Sequence, residues 1–359
     1  MTTGKRIIWV DNAKALGMLL VFWGHLAELG AYEGKSDALH ALTKAIYACH
    51  MPFFFFLAGL FYRESTVRFG VLLVRKAKAR LAPVLFFALM GTALSYQYTQ
   101  LGWLDPAEMA GRLQQIKLLL VGKTVVSWTC WFLTCLFVLE MIASELVPVL
   151  TNRWKHLLAM VVAGGVGVVI LSNPTYMAQS YLGWADKDWW FLQTGSSTAL
   201  AFYLAGIYCQ RYLQRCLPAT TGCTWWLLVV MALAFYFTFD RNFSDGLGTV
   251  NMAGIVYGDW QWFWPTALCG ALAITHLASA LPANRVLDYV GANTIPLLGI
   301  NGIMLWACNP LLWTWCIPYW ETPWIVPLTL LVAVLSLLAC LPLVWLLNKV
   351  VPFAIGRWK

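Results

Sequence analysis

Apolar runs of about 20 residues recur from one end of this chain to the other, and that recurrence constrains its fold more than any other feature. A helix needs roughly 20 predominantly apolar residues to cross a hydrocarbon core of about 30 Å. Such runs lie near 7–30, 40–62, 81–100, 127–149, 157–177, 189–209, 224–240, 259–280, 286–308 and 323–350, the seventh being short. Of 359 residues, 60% are apolar and 11% charged, against roughly 25% charged in an ordinary soluble domain. A water-soluble fold of this composition could not cover its own surface. The expectation is an all-α, polytopic transmembrane helix bundle of about ten spans.

Lys5 and Arg6 precede the first apolar stretch in the manner of a signal peptide. That stretch, however, carries Asp11 and Lys14, lacks a small-residue cleavage site and leads straight into further spans, so it reads as a retained first helix. Orientation follows from the basic residues. With the N-terminus cytoplasmic, that side holds 17 of the 24 Lys and Arg, and the far side holds most of the acids. Both termini are then cytoplasmic, and the net charge of +8 is a topology signal, not a nucleic-acid footprint. No connection is long enough to fold alone, so residues 1–359 are expected to form one integral membrane domain with no appended soluble domain.

Three connections carry information. Residues 63–80 contain Arg63, Arg68, Arg75, Lys76, Lys78 and Arg80 against the single acid Glu64, a composition suited to anchoring on anionic membrane lipid. Residues 105–123 mix charged and apolar residues at helical spacing and read as a helix lying in the interface. The stretches 173–188 and 240–258 are rich in Tyr, Trp, Gly, Asn and Asp; they suit a carbohydrate, and an aromatic interface belt has the same composition. The ten cysteines, Cys209, Cys216 and Cys223 among them, form no paired CxxC pattern, so neither a metal nor a disulfide framework is expected.

Ionisable groups within a membrane are costly, and each is a functional hypothesis. Lys14 and His25 are eleven residues apart, which at 100° per residue is about 20° beyond three full turns and about 16 Å of rise. Both therefore point the same way. Asp11, three residues before Lys14, shares that face and is placed to offset its charge. His50 stands in CHMPFFFFLAG two residues before Pro52, which removes a backbone donor; spacing alone leaves structural and functional readings of His50 even. Glu140, in WFLTCLFVLEMIASE, must face a polar interior or pair with a cation such as Lys14 or Arg80.

The motifs VDNAKALGMLLVFWGH, HMPFFFFLAG, RKAKARLAP, WFL at 131–133 and YVGANTIPLLGIN occur in that order. In this the chain resembles the acyltransferase-3 family of membrane O-acyltransferases over residues 7–350, especially the stand-alone branch that acetylates bacterial surface polysaccharides and lipid-linked sugars. The family's first-helix pattern, Arg or Lys, ten residues, then His, falls on Lys14 and His25. Its basic motif RxxR, an apolar residue and proline matches at Arg80 and Pro83, with Ala77 between Lys76 and Lys78 where the first arginine usually stands. Asn301 occupies the position of a late histidine in many relatives, and the esterase-like domain fused in some members of the family is not expected here.

The resemblance implies a multi-pass enzyme of the bacterial inner membrane that uses cytoplasmic acetyl-CoA as acyl donor and no metal. Lys76, Lys78 and Arg80 would hold the CoA phosphates. His25 would act as general base or acyl carrier, with Lys14 and Asp11 assisting. His50, Glu140, Trp131 and Asn301 are the candidates for contact with the glycan or lipid-linked acceptor. A homo-oligomer is left open. The rival reading is a secondary transporter or flippase for a glycan or lipid, with His25, His50 and Glu140 as a proton relay; no half-to-half repeat of the kind such proteins show is evident. A purely structural scaffold leaves the buried charges without purpose.

Overall fold

The computed structural model describes residues 7–32, 36–116, 127–170, 196–214, 217, 225–243 and 248–358. The described chain is all-α: α1 (Ile8–Tyr32), α2 (Asp37–Leu60), α3 (Phe69–Gln100), α4 (Pro106–Ile116), α5 (Trp131–Leu146), α6 (Arg153–Gly165), α7 (Ser196–Tyr212), α8 (Trp225–Phe239), α9 (Trp260–Ala280), α10 (Arg285–Ala292), α11 (Thr294–Ala307), α12 (Asn309–Thr314) and α13 (Ile325–Val350). Among the described residues five helical stretches, Asp37–Leu60, Phe69–Gln100, Trp128–Val149, Trp260–Ala280 and Ile325–Val350, are long and apolar enough to cross a membrane, and α10 with α11 makes a sixth if the pair is one span. Leu85, Leu89, Leu158, Val161, Leu335 and Trp345 stand exposed on the outside of the bundle. Apolar surface of that extent around a helical bundle is what lipid covers.

The central helix is α1. It packs against α2, α9, α10, α11 and α13, which takes its charges away from lipid. Asn12, fully buried, donates from Nδ2 to the carbonyls of Ala278 (3.2 Å) and Leu281 (3.0 Å). These belong to the end of α9, so the amide satisfies carbonyls that a helix terminus leaves without partners. Two residues with no side chain let backbones meet. A Cβ on Gly59 of α2 would strike the Tyr203 carbonyl of α7, and one on Gly206 of α7 would strike the Phe56 carbonyl of α2. Small residues of this kind set close helix approach in membranes. The run Phe53–Phe56 then fills the core, with Phe53, Phe55 and Phe56 buried and Phe54 half-buried.

One of the expected spans differs in detail, and another is short as expected. Residues 286–308 do not form one straight helix: α10 and α11 meet at Asn293 with a bend of 77°. Asn293 accepts from Asn348 (2.7 Å) and from Arg357 (2.9 Å), and its own Nδ2 donates to the Tyr289 carbonyl (2.7 Å). A break inside a membrane bundle persists where side chains satisfy the released backbone in this way. α8 has 15 residues, about 22 Å of helix, with every described side chain at least partly exposed; it lies at the periphery against α9. The segment expected to lie in the interface begins as α4, while residues 117–123 lie outside the described residues, as do 173–188, Cys216 and Cys223. The eight described cysteines form no disulfide.

Candidate functional site

Three spaces lie in series through the bundle beside α1. The first and largest, a cavity of about 530 Å³, is lined by Lys14, Arg63, Lys76, Arg80 and Arg357, with Glu140 as the one carboxylate, and by apolar residues including Phe54, Leu57, Phe132 and Ile295. The second, about 30 Å³, is an apolar neck of Met18, Met51, Phe54, Phe132, Leu133, Thr294, Ile295 and Leu298. Five of these residues also line the basic chamber, and Met51 and Leu298 also line the third space, so the neck lies between the two. The third, about 90 Å³, holds His25, Glu28, Tyr47, His50, Trp128 and Trp131 under the loop segment Thr249–Ala253.

In the basic chamber the carboxylate organises two of the cations. Arg80 donates from Nη2 to Glu140 Oε1 (2.8 Å) and from Nε to Oε2 (3.1 Å), and Lys76 Nζ donates to Oε1 (2.8 Å). The fork of a guanidinium matches both oxygens at once, which fixes its plane as an ammonium could not. Glu140 is buried, 7% exposed, and its pairing with two cations offsets the cost of desolvating it. With five cations against one carboxylate, the chamber keeps a surplus of positive charge and suits a polyanion. Lys78 is not in this lining: its ammonium stands 4.9 Å from the centre of the Trp358 ring. Arg357 takes a place there instead, anchored through Nη2 to the Ala292 carbonyl and to Asn293 Oδ1, both at 2.9 Å.

In the histidine chamber each polar ring is held from behind. Asn301 is buried on α11, and its Oδ1 accepts from His25 Nδ1 at 2.7 Å. His50 Nδ1 donates to the Ile46 carbonyl one turn back at 2.8 Å. Tyr47, between the histidines, donates its hydroxyl to Glu28 Oε2 at 2.5 Å; its ring centre is 5.1 Å from that of His50 and 6.1 Å from that of His25. Trp131 packs on Phe55 with centres 6.1 Å apart. The loop above is tied by an antiparallel bridge between Asn251 and Val256, with N–H to O distances of 2.8 and 2.9 Å. Ile255 in that loop has φ of 59°, a costly conformation for a β-branched residue that surrounding packing must hold.

A model of the Acyl_transf_3 acyltransferase domain matches residues 7–347. The chain belongs to the acyltransferase-3 family. No curated protein and no solved structure matches it. This acyltransferase-3 protein is thus a helical membrane protein of an enzyme family whose chemistry is tied to acyl-CoA.

The ten residues singled out in the acyltransferase's sequence separate into groups. Lys14, Lys76, Arg80 and Glu140 share the basic chamber; His25, His50 and Trp131 share the histidine chamber; Asn301 stands behind His25. Lys78 is outside both. Asp11 is buried under α10, where a Cβ on Gly291 would strike the Asp11 carbonyl. Glu140 therefore lies away from the histidines and does not join them in one relay. Sequence reasoning passed over Glu28, Tyr47 and Arg357. Glu28 is three residues after His25 and Tyr47 three before His50, the same helical neighbour spacing applied to Asp11 and Lys14. No local signal points to Arg357. Among the described residues no group of three His, Cys, Asp or Glu is placed to hold a metal ion.

Proposed function

We propose that this protein moves a short acyl group, acetyl in the first instance, from cytoplasmic acyl-CoA to a hydroxyl of a cell-surface polysaccharide or lipid-linked sugar. The observation that carries the reading is the series of three spaces: a polycationic chamber, an apolar neck and a histidine chamber, with Lys14 at one end of α1 and His25 at the other. The CoA diphosphate and 3′-phosphate match the cations of the first chamber through charge-assisted hydrogen bonds. Its extended pantetheine arm suits the neck, and the about 16 Å of α1 between Lys14 and His25 separates the phosphate-binding end from the reacting thioester. Aromatic Trp128 and Trp131 with the amide-bearing loop at Asn251 offer the kind of surface on which a sugar stacks.

In this reading the Lys14 end faces the cytoplasm, both termini lie there, the bundle crosses the bacterial inner membrane about ten times, and acyl transfer finishes toward the far side. His25 is the reacting group, and Asn301 holds its Nδ1–H so that Nε2 presents a lone pair to the chamber. Lys14 assists the donor at the mouth of the neck. The test is acetyl-CoA turnover by protein purified in lipid nanodiscs, read as release of CoA thiol. Wild-type protein should bind acetyl-CoA and release thiol; His25→Ala should bind and not turn over. Failure of the wild type to bind acetyl-CoA, or wild-type turnover by the alanine variant, would overturn the reading.

A further inference from the structure

The histidine chamber holds two imidazoles, and transfer through one leaves a task for the other. We propose that His50 is the general base for the acceptor hydroxyl, while His25 carries the acyl group between donor and acceptor. The inference rests on the proposed acyl-CoA reading.

The tautomers carry it. A carbonyl oxygen only accepts, so the 2.8 Å contact of His50 Nδ1 with the Ile46 carbonyl puts the ring proton on Nδ1 and the lone pair on Nε2. Asn301 Oδ1, 2.7 Å from His25 Nδ1, does the same for the other ring. Each imidazole is therefore oriented from its own side, and Tyr47 stands between the two rings. Both line one space of about 90 Å³, small enough that an acyl group on one ring lies within reach of a hydroxyl engaged by the other. His156, also buried, provides the contrast: its Nε2 bonds the Leu204 carbonyl at 2.9 Å and its ring packs edge-on against Tyr208, an arrangement that holds α6 to α7 and lines no described cavity.

The steps balance. His25 Nε2 attacks the thioester carbonyl, the C–S bond breaks, and CoA leaves as thiolate with the acyl group on Nε2 as an acylimidazolium. The acceptor oxygen then attacks the acyl carbon as His50 Nε2 takes its proton. The C–N bond breaks, its electron pair returns to His25 Nε2, and the proton on His50 passes to water, matching the charge of the thiolate released first. A direct transfer would need one base; two bases of the same tautomer divide the work.

The experiment uses full-length protein in nanodiscs with radiolabelled acetyl-CoA, and water and hydroxylamine as acceptors. In His50→Ala the first equivalent of thiol should appear and label should stay on the protein, while turnover to water falls by about 10²- to 10⁴-fold. Hydroxylamine attacks an acylimidazole without a base and should restore turnover toward the wild-type rate with the same acceptor. His50→Gln keeps an N–H donor for the Ile46 carbonyl but no base; it should behave as His50→Ala and serves where the alanine variant does not fold. Hydrolysis at the wild-type rate, loss of the first thiol equivalent, or failure of hydroxylamine to rescue would each overturn the role of His50. A wild-type protein that releases no thiol would overturn the acyl-CoA reading and this inference with it.

Discussion

The two chambers are built on opposite principles. The basic chamber is wide, and its charges stand on long side chains arranged around one buried carboxylate; the histidine chamber is about one sixth as large, and every polar ring in it is held by a hydrogen bond from behind. Phosphates are recognised by charge over several ångströms, so a chamber that grips them tolerates slack. Acyl transfer demands reacting atoms within about 3–3.5 Å in a defined orientation, and under the proposed reading the fixed rings of the smaller chamber meet that demand. The neck between them is apolar; under the proposed reading it takes the thin pantetheine arm and separates the charges of one end from the chemistry of the other.

This division can be broken experimentally, beginning with the largest effect. His25→Ala should abolish acyl transfer, a loss greater than the about 10²- to 10⁴-fold that general-base assistance alone is worth, while the affinity for CoA, measured by calorimetry, stays within twofold. A parallel fall in CoA affinity would show that the chambers are not separable. Lys76→Gln and Arg80→Gln, combined with Glu140→Gln so that no buried carboxylate is left unpaired, should weaken CoA binding by roughly 10- to 100-fold, the worth of one to two charged hydrogen bonds. The residual binding should be less sensitive to salt, because the lost contacts are ionic.

Smaller effects sharpen the comparison. Asn301→Ala should slow turnover by about tenfold, one hydrogen bond of positioning, with KM for acetyl-CoA unchanged; a raised KM and unchanged kcat would move Asn301 out of the reacting centre. Arg357→Gln should weaken CoA binding by about threefold to tenfold, in the range of one screened ionic contact, whereas Lys78→Gln should change it less than about twofold. The reverse order would return Lys78 to the phosphate site and leave Arg357 as a tie between α10 and the C-terminal segment.

Much of this arrangement is legible in local sequence. The phasing of Lys14 with His25 needs only helical geometry, and the expectation that Glu140 pairs with a cation follows from the cost of a carboxylate in a bundle. Arg80 proved to be one partner and Lys76 the other. The grouping of the sites was not legible. Lys76 and Lys78 are near-equivalent in sequence, yet on α3 they stand about 200° apart around the axis, and the helix carries one into the chamber and the other onto Trp358. The motif YVGANTIPLLGIN reads as one apolar span, yet its Asn293 accepts from two distant donors and sustains a 77° bend.

The sequence by itself determined the class of fold, the face of α1 and the residue types available for chemistry, because apolar length and helical period are properties of neighbouring residues. Only the tertiary structure decided which of those residues meet. His25 and Asn301 are 276 residues apart, and Arg357 reaches the basic chamber from the far end of the chain. Such contacts depend on where helices cross and bend. Here those crossings are set by Gly59 against Tyr203, Gly291 against Asp11 and the hydrogen bonds of Asn12 and Asn293, and no local pattern announces which partner each will find.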